Sequence, residues 1–234
     1  MPKRSRILLK LSGETLLGQH ESGIDFSVLG NLAEQILALQ ADGHEVAVVL
    51  GAGNIWRFRD HKESHIDRVS SDYMGMLATI MNSVALMSAI EQKGGTVRVC
   101  SALNIPAMAE PYIKRRAMRH LEKGRIVISA GGTGNPYFTT DTAAALRALE
   151  LECDLLIKAT NTDGVYSDDP KKNKMAKLYK KISYDEVLEK DLKVMDGAAI
   201  ALCRDAKLPI QVFKFGKTKD LLQAVRGKVG TRVG

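Results

Sequence analysis

Six short apolar runs, separated by longer stretches of helical periodicity, restrict this chain to a sheet covered by helices. The runs are 6–11, 45–50, 96–100, 125–129, 155–158 and 210–213. Several, such as Ile7-Leu8-Leu9 and Val46-Ala47-Val48-Val49-Leu50, are apolar on successive rather than alternate residues. Such a strand must bury both faces, the condition of a parallel sheet with helices on each side. Between the first two runs, Leu29, Leu32, Ile36, Leu37 and Leu39 recur at helical spacing behind a capping Asp25, and a second helix fills much of 67–93. No Ser/Pro-rich linker, low-complexity tract or repeat divides the 234 residues, so one domain is expected over 1–234.

Composition removes several classes of function. No uninterrupted apolar run approaches the roughly 18–20 residues of a membrane span. The basic start Met1-Pro2-Lys3-Arg4-Ser5-Arg6 is followed by an apolar stretch that is too short for a signal peptide and is broken by Lys10. A cytoplasmic protein with no membrane partner is expected. Cys100, Cys153 and Cys203 are odd in number and form no C-x-x-C pair, so they read as reduced core residues. The net charge of +7 suits nucleic acid, anionic lipid or small phosphorylated ligands. Yet the basic residues are scattered, with short clusters only at Lys114-Arg115-Arg116 and Lys171-Lys172-Asn173-Lys174. Aromatics at 5% offer little stacking surface for single strands, and no nucleic-acid partner is expected.

Glycines punctuate the ends of the apolar runs. Gly13 follows the first in Lys10-Leu11-Ser12-Gly13-Glu14, Gly51-Ala52-Gly53-Asn54 follows the second, and Gly131-Gly132-Thr133-Gly134-Asn135-Pro136 follows the fourth. Open parallel sheets bind ligands just outside the carboxyl ends of their strands. One such glycine merely lets the chain turn, whereas three at one sheet edge mark a binding site. The common phosphate motifs are nevertheless absent. Gln211 stands where a Walker A loop ending in Gly216-Lys217-Thr218 needs its first glycine. Trp56 and Tyr137 occupy the third-glycine positions of two G-x-G-x-x-G frames, and neither H-R-D nor D-F-G occurs. His61-Lys62-Glu63-Ser64-His65 lacks both the H-E-x-x-H order and a third ligand, and reads as an exposed polar segment.

Two lysines carry more chemistry. Lys10 closes Ile7-Leu8-Leu9 and Lys158 closes Leu155-Leu156-Ile157, which puts two ammonium groups at the ends of buried strands. An ammonium there needs an anion or a route to water. Snorkelling accounts for one; two beside the glycine loops suit the charge on a transferring phosphoryl group. Directly after the third glycine loop, Thr139-Thr140-Asp141-Thr142 opens the helix Ala143-Ala144-Ala145-Leu146. Its free N–H groups would face a bound anion, with Thr140 or Asp141 as the expected cap.

Together Lys10-Leu11-Ser12-Gly13-Glu14, Gly51-Ala52-Gly53-Asn54 with Arg57, Asp72-Tyr73-Met74-Gly75-Met76, Gly132-Thr133-Gly134-Asn135-Pro136-Tyr137-Phe138-Thr139-Thr140-Asp141, Lys158-Ala159-Thr160, Asp163-Gly164-Val165-Tyr166, Asp169-Pro170 and Leu192-Lys193-Val194-Met195-Asp196 cover nearly the whole chain. This set resembles the amino acid kinase family, and within it the bacterial uridylate kinases. The resemblance implies a three-layer α/β/α sandwich with a mainly parallel sheet, transferring phosphate from ATP to UMP to give ADP and UDP in pyrimidine biosynthesis. Mg²⁺ would arrive through the nucleotide phosphates. The acceptor side would lie mainly in 45–150, and the ATP side in 151–234 with the 10–13 loop.

Matching positions put Lys10, Leu11, Ser12, Gly13, Gly53 and Arg57 near the ATP phosphates and Thr160, Tyr166 and Asp169 on its nucleoside. Ala52, Asp72 and Thr133, Gly134, Asn135, Pro136, Tyr137, Phe138, Thr139 and Thr140 would enclose UMP, with Asp72 on the ribose hydroxyls. Lys10, Lys158 and Arg57 would act on the transferring group, with Asp141 and Asp196 orienting the lysines rather than serving as bases. The resemblance also implies a homohexamer of dimers, activated by GTP and inhibited by UTP, with 18–23 where an effector-related loop falls. Two positions depart from the family pattern: Ala52 replaces the middle glycine of its loop, which is tolerated only at negative φ, and Phe58 replaces the glycine after Arg57. Two alternatives remain, a family member acting on a carboxylate or carbamate and a nucleotide sensor without turnover. The 133–140 block argues against the first, and the presence of both lysines against the second.

Overall fold

The computed structural model describes residues 5–58, 65–170, 172–216 and 220–234. The readings that fall on Met1 to Arg4, His61 to Ser64, Lys171 and Lys217-Thr218 lie outside the described residues. Strands with apolar residues on both faces can only be central, and the six apolar runs do form the middle of one sheet. They are β1 (Arg6–Leu11), β2 (Glu45–Leu50), β3 (Val97–Ser101), β5 (Ile126–Ala130), β6 (Leu155–Thr160) and β8 (Ile210–Lys214). Short strands β4 (Glu110–Pro111), β7 (Lys181–Ile182) and β9 (Thr231–Val233) complete the order β4-β3-β5-β2-β1-β6-β8-β9-β7. Pairing is parallel throughout except between β8 and β9.

Helices cover both faces, as expected from the apolar runs. Ile7, Leu9 and Leu11 of β1 pack with α1 (Phe26–Ala41), α2 (Arg68–Gln92) and α7 (Asp220–Val225). Leu8, on the opposite face, joins a second core with α3 (Lys114–Glu122), α4 (Thr140–Glu150), α5 (Tyr184–Glu189) and α6 (Gly197–Asp205). Ala144, Ala145 and Ala148 let α4 sit close on the sheet. Leu9 is fully buried, and replacing it with alanine would cost about 2–5 kcal/mol.

The caps follow local chemistry with one correction. Asp25 caps α1 by accepting from the N–H groups of Ser27 and Val28, and Asp67 caps α2. The cap of α4 is neither Thr140 nor Asp141 but Thr139, whose extended backbone lets its hydroxyl accept from the N–H groups of Asp141 (3.0 Å) and Thr142 (3.3 Å). Asp141 is thereby left free to turn inward. In length and composition α2 is apolar enough to cross a membrane, although no unbroken apolar run marks it. Its Thr79, Asn82 and Ser83 instead face the protein interior, where all three are hydrogen-bonded.

Candidate active site

Strand register brings the two lysines together. Lys10 and Lys158 are direct partners on β1 and β6, so both project from the same sheet face, beneath the first turn of α4. Asp141, in that turn, lies between them: Oδ1 is 2.6 Å from Lys10 Nζ, and Oδ2 accepts from Lys158 Nζ at 2.7 Å. Lys158 also donates to the carbonyl of Val194. Burial alone would raise the Asp141 carboxyl, but the two ammonium groups outweigh it and hold its pKa below the ordinary value. Burial lowers the pKa of Lys158, against the opposing pull of Asp141.

Asp196 does not orient a lysine directly, contrary to expectation. It is the N-cap of α6, accepting from Ala199 N–H at 2.9 Å, and its remaining lone pairs take the hydroxyls of Thr139 and Thr142. Its cap position fixes where the carboxylate points. It therefore ties the starts of α4 and α6 together, and although it makes no hydrogen bond to a lysine, its charge favours the protonated form of Lys158.

The glycines of the first two loops allow backbone to meet backbone. A Cβ on Gly13 would lie 2.5 Å from Gly53 N, and one on Gly51 would lie 2.8 Å from Gly13 N. Arg57 is fixed over this junction, donating from Nε to Gly53 O at 2.7 Å and lying 2.8 Å from Glu14. Ser12 caps the short 3-10 turn Gly13–Leu17. Leu11 has its side chain in the core and takes part here only through its backbone, its carbonyl accepting from Gly51 N–H at 2.9 Å.

Two clefts open beside the first turn of α4: Lys158 lines the larger, and Thr139 and Thr140 at the start of α4 line the smaller. The smaller, about 140 Å³, is lined by Ala52, Trp56, Phe58, Asp72, Thr133, Phe138, Thr139 and Thr140 among others. Ala52 is not among the residues with positive φ, so its methyl group adds no backbone strain. Asp72 accepts from Tyr137 N–H at 2.7 Å and pairs with Arg68 at 2.8 Å. Arg68 stacks 5.3 Å from the Phe58 ring and 5.6 Å from that of Tyr137, so Phe58 in place of glycine gives the guanidinium a wall. Tyr137 holds a left-handed backbone at φ 71°, strained for an aromatic residue, beside the exposed Phe138. Thr133 and Asn135 close a local turn, and Gly134 packs against Ala102. Pro136 lies between that turn and Tyr137. Arg68 was not singled out from sequence, although its i,i+4 spacing to Asp72 is a signal for it.

The larger cleft, about 680 Å³, has Lys158, Thr160, Tyr166, Asp169, Lys190 and Lys193 on its walls. That volume falls in the range of small-molecule and cofactor sites. Thr160 donates to Thr162 O at 2.7 Å, and Tyr166 to Asp163 at 3.3 Å. Among the described residues, no group of three His, Cys, Asp or Glu side chains is arranged to hold a metal ion.

A helix-covered, mainly parallel sheet with two clefts at its carboxyl edge, and two lysines bracketing a carboxylate, is an arrangement suited to handling phosphate groups. The amino acid kinase family model matches residues 5–214, and the chain belongs to that family. A uridylate kinase from Methylococcus capsulatus is 52% identical over 226 residues, covering 97% of this chain and 95% of that protein. The structure of UMP kinase from Bacillus anthracis superposes with a TM-score of 0.95 at 40% identity, covering 98% of this chain and 96% of that one. UMP kinase from Ureaplasma parvum gives 0.94 at 37% identity, with 99% of each chain covered.

Proposed function

We propose that this chain transfers the γ-phosphoryl group of ATP to UMP, releasing ADP and UDP. One observation carries the choice of acceptor: 52% identity over nearly the whole chain to a protein named uridylate kinase. ATP occupies the larger cleft, with its nucleoside near Thr160, Tyr166 and Asp169 and its phosphates toward Lys10, Ser12, Gly13, Gly53 and Arg57. UMP fills the smaller cleft between Asp72 and the 133–140 loop. A UMP phosphate oxygen then attacks the γ-phosphorus in line as the bond to the bridging oxygen of ADP breaks. Lys10 and Lys158 meet the charge on the equatorial oxygens, Arg57 steadies the donor side, and the N-terminus of α4 faces the same group.

A divalent metal, Mg²⁺, enters with ATP and offsets charge on its phosphates. The phosphates would supply its ligands, since Asp141, the carboxylate between the lysines, is already engaged by both ammonium groups.

One domain over 1–234 serves both substrates, with 45–150 mainly on the acceptor side and 151–234 with the 10–13 loop on the ATP side. Val69, Tyr73, Met74, Leu77 and Met81 form an exposed apolar stripe on α2, which supports dimers paired along this helix and assembled into a homohexamer. GTP as activator and UTP as inhibitor complete the reading, together with a cytoplasmic location. The test is ADP formation with UMP, glutamate, aspartate or carbamate as acceptor. UMP alone should support turnover, and faster turnover with any of the others would overturn the assignment.

A further inference from the structure

Helix α2 joins both glycine loops through buried polar residues outside every motif. Asn82 and Asn54 form a reciprocal amide pair: Asn82 Nδ2 donates to Asn54 Oδ1 at 2.8 Å, and Asn54 Nδ2 to Asn82 Oδ1 at 2.9 Å. The second proton of Asn82 goes to Gly51 O at 2.8 Å and that of Asn54 to Gly23 O at 2.9 Å, so all four amide protons are used. Gly23 N–H returns a bond to Asn54 O at 2.9 Å, tying 18–23 to the same node. Asn82 is 0% and Asn54 3% exposed. Three residues before Asn82, and also buried, Thr79 accepts from Gly131 N–H at 2.9 Å while donating to Met76 O.

A lone buried amide is costly, and a completed pair fixes its surroundings instead. Neighbouring positions of one helix thus grip the loop at Gly51, whose Ala52 lines the proposed UMP cleft and whose Gly53 faces the proposed ATP phosphates, and the acceptor-side loop at Gly131. A rigid helix holds 79 and 82 about 4.5 Å apart along its axis. We propose that Asn82, with Asn54, is a positioning residue for phosphoryl transfer, and that α2 through Asn82 and Thr79 sets the separation of the donor and acceptor phosphates. The inference rests on the UMP-kinase reading above. Phosphoryl transfer depends on alignment, and a displacement of about 1 Å from a distant change can cost on the order of 10²-fold in rate.

Steady-state kinetics of Asn82→Ser, Asn54→Ser, the double variant and Thr79→Val test it, each measured well below its melting temperature. Asn82→Ser should lower kcat on the order of 10²-fold while the KM values for ATP and UMP stay within about threefold. Asn54→Ser should match it, and the double variant should be no worse than either, because both singles break one pair. Thr79→Val, which keeps the shape of the side chain, should raise the UMP KM about tenfold and leave that of ATP unchanged. A merely structural pair would lower melting temperatures and leave kcat of the folded enzyme intact; that result for Asn82→Ser overturns the proposal. If Asn82→Ser does not fold, wild-type kcat in Asn54→Ser with wild-type KM in Thr79→Val has the same force. Failure of the wild type to form UDP would instead sink the reading beneath it.

Discussion

Lys10 and Lys158 are register partners on adjacent strands, and Asp141 is the one carboxylate among the described residues within ion-pair distance of either. Like charges placed opposite each other in a sheet repel. Placing both there gives this edge of the sheet attraction for an anion at the expense of the empty fold, as the proposed phosphate site requires.

Replacing either lysine with methionine should separate these two effects. Lys10→Met or Lys158→Met should lower kcat by about 10² or more, the scale of a lost transition-state contact. The nucleotide-free variants should keep close to wild-type stability, because the remaining lysine still compensates Asp141 and the repulsion between the two ammonium groups is gone. Turnover assays and thermal melts without nucleotide check both halves. Unchanged turnover in a folded variant would remove that lysine from the mechanism.

Asp141→Asn should instead lower stability, leaving two buried ammonium groups uncompensated at a cost of about 3–5 kcal/mol at neutral pH. The wild-type carboxyl has a folded pKa below its unfolded value, so its contribution is complete above the ordinary value near 3.8 and is lost as pH falls through the depressed one. Urea midpoints across that acid range should fall for wild type by more than for Asp141→Asn. Parallel acid profiles would show that the carboxylate is not held in this way.

Asp72→Ala should raise the UMP KM by one to two orders of magnitude, the scale of about 1.5–3 kcal/mol for a hydrogen bond to a charged group, with little change for ATP. Two losses combine here, the proposed ribose contact and the anchor for the strained Tyr137 backbone. The discrimination between UMP and deoxy-UMP should shrink in the variant. Equal rises in both nucleotides' KM would point away from an acceptor role.

Much of this architecture was legible because buried strands leave a plain mark. Arg6–Leu11 and Glu45–Leu50 were read to the residue from their apolar runs, and the other four central strands to within two. The edge strands were not legible: two or three residues such as Glu110–Pro111 carry no period, and their pairing depends on tertiary placement. Helix α3 was hidden by its charge, since only Ala117, His120 and Leu121 of Lys114–Glu122 are buried. Lys10 and Lys158 were visible as charges ending apolar runs, but their register required the sheet. Asn82 gave only a faint signal, a polar residue with Thr79 and Ser83 on the inner face of an apolar helix.

The pH dependence should come from the substrate. The phosphate of UMP has a second pKa of about 6 and is mostly dianionic at neutral pH, so no enzyme base is required. His44 is bonded to Ser5, His120 to Glu110, and His20 lies 4.0 Å from Asp25, all engaged outside the two clefts. The acid limb of kcat/KM for UMP should survive single replacement of His20, His44, His61, His65 or His120. A thiophosphate analogue with a lower second pKa should move it to lower pH. An unmoved limb that vanishes in one histidine variant would reveal a base.

The most direct measurement follows the phosphoryl group itself. Enzyme mixed with UMP and ATP labelled at the γ-phosphate should, in a single turnover, place the label in the β-phosphate of UDP at the rate ADP appears. Lys10→Met should bind both nucleotides and make that product far more slowly. Binding of UMP and ATP by the wild type without labelled UDP, or label passing preferentially to carbamate, aspartate or glutamate, would contradict the assignment.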